Sequence, residues 1–306
     1  RIRVPPMAHY QRLTEGFQSR FNTVFDWVYE RYEKFLIIPF LIFVFAVGTI
    51  GYSYTQDGEF VSKGMDFEGG AEIQVQVTDD TTTDQIQQLF SQDYPDVNVR
   101  LLGQEWMLIE TTDTNVTRDE VESILSTNNI GYTGNPSINT QGGAVGEGFL
   151  REAQIGVIIA FLIMSSVVFI AFRLVVPSLA VIGSIVLNML FAIAGMNILG
   201  IDLTLSSLAA LLMLIGYSVD TDIILSTRVL REQSRELKVR VKDSITTGAT
   251  MTIAAIVAFS ILFVVSTSQT MNQLAAVILL GLVADLPATW TGNAIIMKMY
   301  DEGRFS

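Results

Sequence analysis

The 306-residue sequence has no cysteine and a single histidine. Without thiols it can form no disulfide, no thiolate metal site and no cysteine nucleophile. His9, in a polar, arginine-bearing N-terminal stretch, reads as a solvated side chain. Charge is also scarce: Asp, Glu, Lys and Arg make up 16% of the residues, 50% are hydrophobic, and mean hydropathy is +0.42. A soluble domain of this length carries about 25% charged residues, so an ordinary globular protein is excluded. Neither a G-x-x-x-x-G-K-[ST] phosphate loop nor a nucleophile–base or metal-ligand spacing occurs. Direct nucleotide use, an enzyme and a bound cofactor are therefore not expected. The formal net charge of −12 is unevenly spread: from Asp57 to Glu147 there are 17 acidic residues against three basic ones, Lys63, Arg100 and Arg118. Such an anionic segment repels phosphates, so no nucleic-acid partner is expected. Its acidity suits a protein living in high salt.

What the sequence does have is long apolar runs. Six of them, at about 35–54, 153–172, 174–195, 203–225, 246–266 and 274–296, can each cross about 30 Å of hydrocarbon. The first begins near Phe35 and lacks an A-x-A end, so no cleavable leader is expected. Lys and Arg flank the N-terminus, the turn at Arg173, the 228–242 segment and the tail at Lys298 and Arg304, while Gly195–Asp202 and Ser266–Gln273 contain none. This asymmetry predicts both termini in the cytoplasm and residues 55–150 outside. Residues 1–34 carry an apolar stripe (Tyr10, Leu13, Phe17, Phe21, Val24, Val28, Tyr32) at steps of three and four. The stripe predicts an interfacial helix on the membrane, or alternatively one packed on a cytosolic protein. The expected fold class is a polytopic α-helical membrane protein with six transmembrane helices. Its parts are an interfacial helix (1–34), a first span (35–54), an extracytoplasmic α+β domain (55–150), five further spans (151–300) and a cytoplasmic tail (301–306).

The insert between the first two spans reads as β-α-β-β-α-β, the order of a ferredoxin-like fold. Ile73, Val75 and Val77 alternate along Ala71–Val77, and extended runs follow at Val97–Leu102, Trp106–Thr111 and from Ile130. Thr82 with Gln85, and Thr117 with Glu120, form capping-box pairs that open two short helices. No catalytic constellation stands out, so a binding or lever domain is expected. Gly69 and Gly70 precede its first strand, and Gly142, Gly143, Gly146 and Gly148 lead into the second span. These glycines are hinge candidates, with tight static turns as the alternative.

Three aspartates lie in or near the apolar runs. A carboxylate in hydrocarbon costs about 2.5–3.5 kcal/mol on insertion scales, so one that persists there is a functional candidate. With the fourth span at 203–225 and about 1.5 Å of rise per residue, Asp220 lies about 9 Å from the midplane and Asp222 about 12 Å. Depth thus favours Asp220, and Asp222 reads equally as an end-of-span residue pairing with Arg228 or lipid headgroups. Asp285 is at the midpoint of the last run, next to Pro287, which cannot donate to the carbonyl of Val283 and loosens the helix. Neutral partners on offer are Ser218, Asn188, Asn293 and the hydroxyls of Thr246, Thr247, Thr250 and Thr252. Among these groups Asp285 is expected to exchange a proton, or alternatively to stay protonated as a hydrogen bond between two helices. Asp202 reads as a solvated edge residue.

Gly64-Met-Asp66-Phe-Glu-Gly69-Gly70 ahead of an alternating strand, Ile215-Gly216-Tyr217-Ser218 in the fourth run, and the threonine-rich Ser244–Thr252 opening the fifth resemble the SecF family. So does the layout of one span, an outside domain and five spans, over nearly the whole chain. The resemblance implies membership of the resistance-nodulation-division superfamily. It also implies pairing with a SecD-type subunit and the SecY translocon, and movement of exported polypeptides with an ion gradient, among membrane lipids. Bacterial relatives read S-[IV]-N-D-T in the fourth span; here Ser218-Val219-Asp220-Thr221-Asp222 shifts the aspartate and adds a second. Where they carry a G-T-Y-S-S type sequence in the last span, Ala284-Asp285-Leu-Pro287 stands. These departures are similar to the archaeal type. The competing reading is a homo-oligomeric small-molecule or lipid efflux transporter of the same superfamily, since this chain resembles one half of a full-length exporter.

Overall fold

The computed structural model describes residues 22–304, apart from 24, 79–80, 103–105, 233 and 267. Among these, six helices are long and apolar enough to cross a membrane: Tyr32–Gln56, Val145–Phe172, Val175–Leu199, Leu205–Arg231, Leu237–Val265 and Gln269–Asp301. All six expected runs are present, each longer than hydropathy indicated. The second helix starts at Gly143 and contains Arg151 and Glu152, and the fifth absorbs the basic segment from Leu237. Both extensions are at N-terminal ends, and neither 143–152 nor 237–245 contains a proline to interrupt helical hydrogen bonding. Of the N-terminal stripe, residues 1–21 lie outside the described residues. The described part is helical, including α1 (Tyr32–Phe35), which leads into α2 (Ile37–Asp57). Phe25 is buried against the terminus-side core, and the Lys298 ammonium sits over the Tyr29 and Tyr32 rings at 3.7 and 3.6 Å.

Between the first two spans the chain forms α3 (Met65–Glu68), β1 (Gly70–Val77), α4 (Thr83–Phe90), β2 (Asn98–Leu102), β3 (Trp106–Thr111), α5 (Arg118–Thr127) and β4 (Tyr132–Gln141). The sheet order is β2-β3-β1-β4, antiparallel throughout, as the ferredoxin-like reading requires. Ile73 faces Ile109 and Val75 faces Met107 across β1 and β3, which puts the alternating residues of both strands in one buried layer. Ile86 and Phe90 of α4 and Val121 and Leu125 of α5 cover that layer. Both capping boxes form: the Gln85 and Glu120 amides donate to Thr82 and Thr117, whose own amides donate back to the Gln85 and Glu120 side chains. Each cap contributes about 1 kcal/mol.

The remaining spans are α6 (Gly143–Phe172), α7 (Val175–Leu199), α8 (Leu205–Arg231), α9 (Leu237–Val265) and α10 (Gln269–Ala288). A π turn (Thr289–Asn293) then leads into α11 (Ala294–Asp301). The third, fourth and sixth spans form the core of the bundle, and the first, second and fifth present mostly unburied faces. Two close approaches set the spacing. Gly281 accepts the Leu214 side chain, and Gly248 lies under the Trp290 ring, so a Cβ at either would collide with its neighbour.

The inserted domain is fixed to the bundle by charge as well as by chain. Arg100 Nη1 reaches Asp202 Oδ2 at 2.5 Å and donates to the Gly200 carbonyl at 2.8 Å, and its Nη2 lies 3.7 Å from Glu110. Asp202 is therefore not a solvated edge residue: it is buried, because β2 folds over the third–fourth connection and brings a guanidinium to it. Burial pushes the Glu110 carboxyl up to about 7 against the pull of Arg100, with the charges of Asp202 and Glu72 adding to the rise. An acid whose folded value exceeds its unfolded one holds more protons when folded. Its contribution to stability is full below about 4.5 and is lost as pH rises through about 7. Thermal unfolding of the detergent-solubilised chain should therefore show the domain losing about 3 kcal/mol between about pH 5 and about pH 8. Glu110→Gln should flatten that slope. A slope that Glu110→Gln leaves unchanged would exclude Glu110 as its source.

Candidate functional site

The functional candidates converge where the third, fourth and sixth spans meet. On a 3.6-residue helix, Ser218 and Asp222 share a face at a spacing of four, as do Asp285, Thr289 and Asn293 along the sixth span. The two faces meet. Thr289 Oγ1 donates to Asp222 Oδ1 at 3.1 Å and lies 3.4 Å from Asp285 Oδ1, so one hydroxyl bridges the two carboxyls. Asn293 Nδ2 donates to Asp222 Oδ1 at 2.7 Å. Asn188 Nδ2, from the third span, donates to Asp285 Oδ1 at 2.7 Å and to Ser218 Oγ at 2.9 Å. Asp222, Asp285, Asn188, Ser218 and Thr289 are all 0% exposed, and Asn293 is 3% exposed. No Lys or Arg among the described residues pairs with either carboxyl. The Oδ2 atoms of both aspartates are buried without a well-formed hydrogen bond, and the Ser184 hydroxyl stands against Asp222.

The backbone is irregular at this point. The loosening expected at Pro287 takes the form of a π turn at Thr289–Asn293, immediately beyond the proline. A π turn widens the helix by one residue and recurs at functional sites; here both ends of the turn, Thr289 and Asn293, reach Asp222.

The two fourth-span aspartates lie in different surroundings, Asp222 buried at the site and Asp220 not. Asp220 is exposed, and no hydrogen bond or ion pair joins it to the described residues. Two residues along a helix turn a side chain through about 200°, so Asp220 and Asp222 cannot both face the core. Asp222 does not pair with Arg228 either: that guanidinium donates to the Asp243 carbonyl at 2.7 Å and to Thr247 Oγ1 at 2.9 Å. Thr247 thus holds Arg228 rather than a carboxyl, and Thr250 is exposed and donates to the Thr246 carbonyl. Ser218, Asn293 and Asp285 are assembled as candidates, with Asn188 as partner. Thr289 was missed, although its spacing of four from both Asp285 and Asn293 was legible.

The motif after the first span is assembled differently. Gly69 and Gly70 have φ of +81° and +130°, and a Cβ at Gly70 would land on the Thr111 carbonyl oxygen, so only glycine fits there. Asp66 Oδ2 accepts the Leu205 amide at 2.8 Å, at the first turn of α8. Of the four later glycines, Gly142 precedes α6 in extended conformation and Gly143, Gly146 and Gly148 lie within its first two turns. Gly146 packs on the Phe67 carbonyl, where a Cβ would come within 2.7 Å.

No group of three or more His, Cys, Asp or Glu side chains among the described residues is placed to hold a metal ion.

Comparison with known proteins places this architecture. Residues 121–303 match the family described as "Protein export membrane protein SecD/SecF, C-terminal". The SecF protein-export membrane protein of Pyrococcus furiosus is 34% identical over 278 residues, covering 88% of this chain and 90% of that one. That of Haloquadratum walsbyi is 36% identical over 286 residues, covering 89% and 94%. The crystal structure of SecDF, a translocon-associated membrane protein from Thermus thermophilus, superposes with a TM-score of 0.72 at 18% identity. The match covers 89% of this chain and 38% of that longer one, so the likeness is one of fold. The chain belongs to the SecD/SecF family of protein-export membrane proteins, as a multi-pass SecF-type member of the archaeal kind with an accessory role in protein export.

Proposed function

We propose that this chain is half of a working pair with a SecD-type subunit beside the SecY translocon. Both termini are in the cytoplasm and the inserted domain is outside, where it handles exported polypeptides. The observation that carries the reading is the buried Asp222–Asp285 pair bridged by Thr289. Two carboxyls so close, among neutral donors and without a cation, repel each other when both are ionised. A proton taken up from one side of the membrane and released to the other relieves that repulsion, and the fourth and sixth spans are the elements it would move. The pair is therefore the ion carrier, and the chain couples a proton gradient to export rather than catalysing a chemical step. The Lys and Arg distribution supports the orientation, and the unburied apolar faces of the first, second and fifth spans suit membrane lipid.

The test is purification of the tagged chain from its own membranes in mild detergent, followed by identification of what travels with it. A second six-span relative together with translocon subunits is the expected outcome. Recovery of copies of this chain alone would remove the pairing.

A further inference from the structure

Residues 60–70, between the first span and β1, do more than connect. The Leu203 amide donates to the Ser62 carbonyl at 2.7 Å and the Gly64 amide to the Leu203 carbonyl at 2.8 Å, so a parallel β-bridge pins Lys63 against Leu203. Asn197 Nδ2 donates to the Phe60 carbonyl at 2.9 Å. Asp66 then caps the Leu205 amide, which begins the helix carrying Ser218 and Asp222. Gly64 is pressed against Thr204, the N-cap of that helix, and a Cβ at position 64 would lie 2.7 Å from Thr204 Cγ2. Thr204 and Ser206 both donate to Gln273 Oε1, at 3.0 and 3.2 Å, so the start of the sixth span joins the same cluster. On the other side the segment runs straight into β1, a central strand of the sheet, and Gly146 of the second span packs on the Phe67 carbonyl. One strap thus grips the inserted domain, the second span and the outer end of the fourth span, which Gln273 ties to the sixth.

We infer that this strap, anchored by the Asp66 carboxylate on the first turn of the fourth span, is the joint that makes movement of the inserted domain and movement of the Asp222-bearing helix a single movement. Asp66 is a positioning residue: it touches neither the buried carboxyls nor a substrate, and acts through the backbone of α8. A flexible linker would let the domain swing without the helix. The paired backbone bonds on both sides of Leu203, and a carboxylate on the partial positive charge of a helix start, make the strap stiff instead. The consequence for export rests on the function proposed above, whereas the joint does not.

The cysteine-free sequence permits a direct test. Gly64→Cys with Thr204→Cys places two thiols where the Gly64–Thr204 approach brings their Cβ atoms within disulfide reach. The joint is read as the distance distribution between labels carried on unnatural amino acids at Asp119 and Met213 of the fourth span, both exposed. Asp66→Ala should broaden that distribution and lower export about tenfold, and Asp66→Asn, which keeps an acceptor oxygen but not the charge at the helix start, should do both to a smaller extent. Oxidising the two cysteines in the Asp66→Ala background should narrow the distribution and restore export. Reduction in the already assembled membrane should reverse both, which a role confined to folding would not allow. A distribution that Asp66→Ala leaves narrow, or that the crosslink leaves broad, overturns the joint. So does loss of export when the crosslink is closed in the otherwise native chain, because the strap would then have to detach; this arm holds even if Asp66→Ala does not accumulate. Distances that respond as expected while export stays constant uphold the joint and reject the export reading.

Discussion

Asp222→Asn should abolish the gradient dependence of export while leaving the chain folded in its membrane. The amide is nearly isosteric, and its oxygen can take the bonds that Asn293 and Thr289 now give to Asp222 Oδ1. What it cannot do is gain and lose a proton. The expected loss in gradient-driven export of a secreted reporter is at least tenfold, which corresponds to about 1.4 kcal/mol. Asp285→Asn should behave alike. Because one hydroxyl bridges the two groups, the double variant should be no worse than either single one. Asp222→Leu is a different experiment: it strands the buried Asn293 donor at a cost of about 1–3 kcal/mol, leaves Thr289 only its 3.4 Å contact with Asp285, and should lower the amount of folded protein. Gradient-dependent export that survives intact in Asp222→Asn would exclude the pair as the carrier.

The second large effect concerns stability. Gly70→Ala should cost about 2–4 kcal/mol and detach the inserted domain from its own first strand. The residue combines a φ of +130° with backbone on the far side: the added Cβ meets the Thr111 carbonyl in the neighbouring strand. Moving Thr111 would pull on Asp96, whose carboxylate accepts from the Thr111 hydroxyl at 3.1 Å and the Thr112 amide at 2.6 Å. Gly134→Ala is the matched control, since Gly134 also has a positive φ, +77°, but open space where the Cβ would go. It should cost about 1 kcal/mol. Equal midpoints for the two variants in thermal unfolding would mean that backbone torsion alone sets the penalty, and the close approach of Thr111 does not.

The sequence by itself determined the six spans, because each is a long apolar run set between basic and non-basic connections. It determined the order of the inserted domain as well, because Ile73, Val75 and Val77 alternate and Thr82 and Thr117 carry their caps three residues ahead of Gln85 and Glu120. These are local signals, written within a few residues. It could name Asp220, Asp222 and Asp285 as costly, but depth along one helix does not say which way a side chain turns. Only packing of the third, fourth and sixth spans separated Asp222 from Asp220, and only the meeting of the fourth and sixth spans brought Thr289 and Asn293 to it. In the same way Asp202 and Arg100 lie about a hundred residues apart, and no periodicity connects them; their pairing exists because β2 folds over the third–fourth connection. Tertiary structure decided every contact of the site, for the physical reason that a buried polar group is defined by what faces it from other elements.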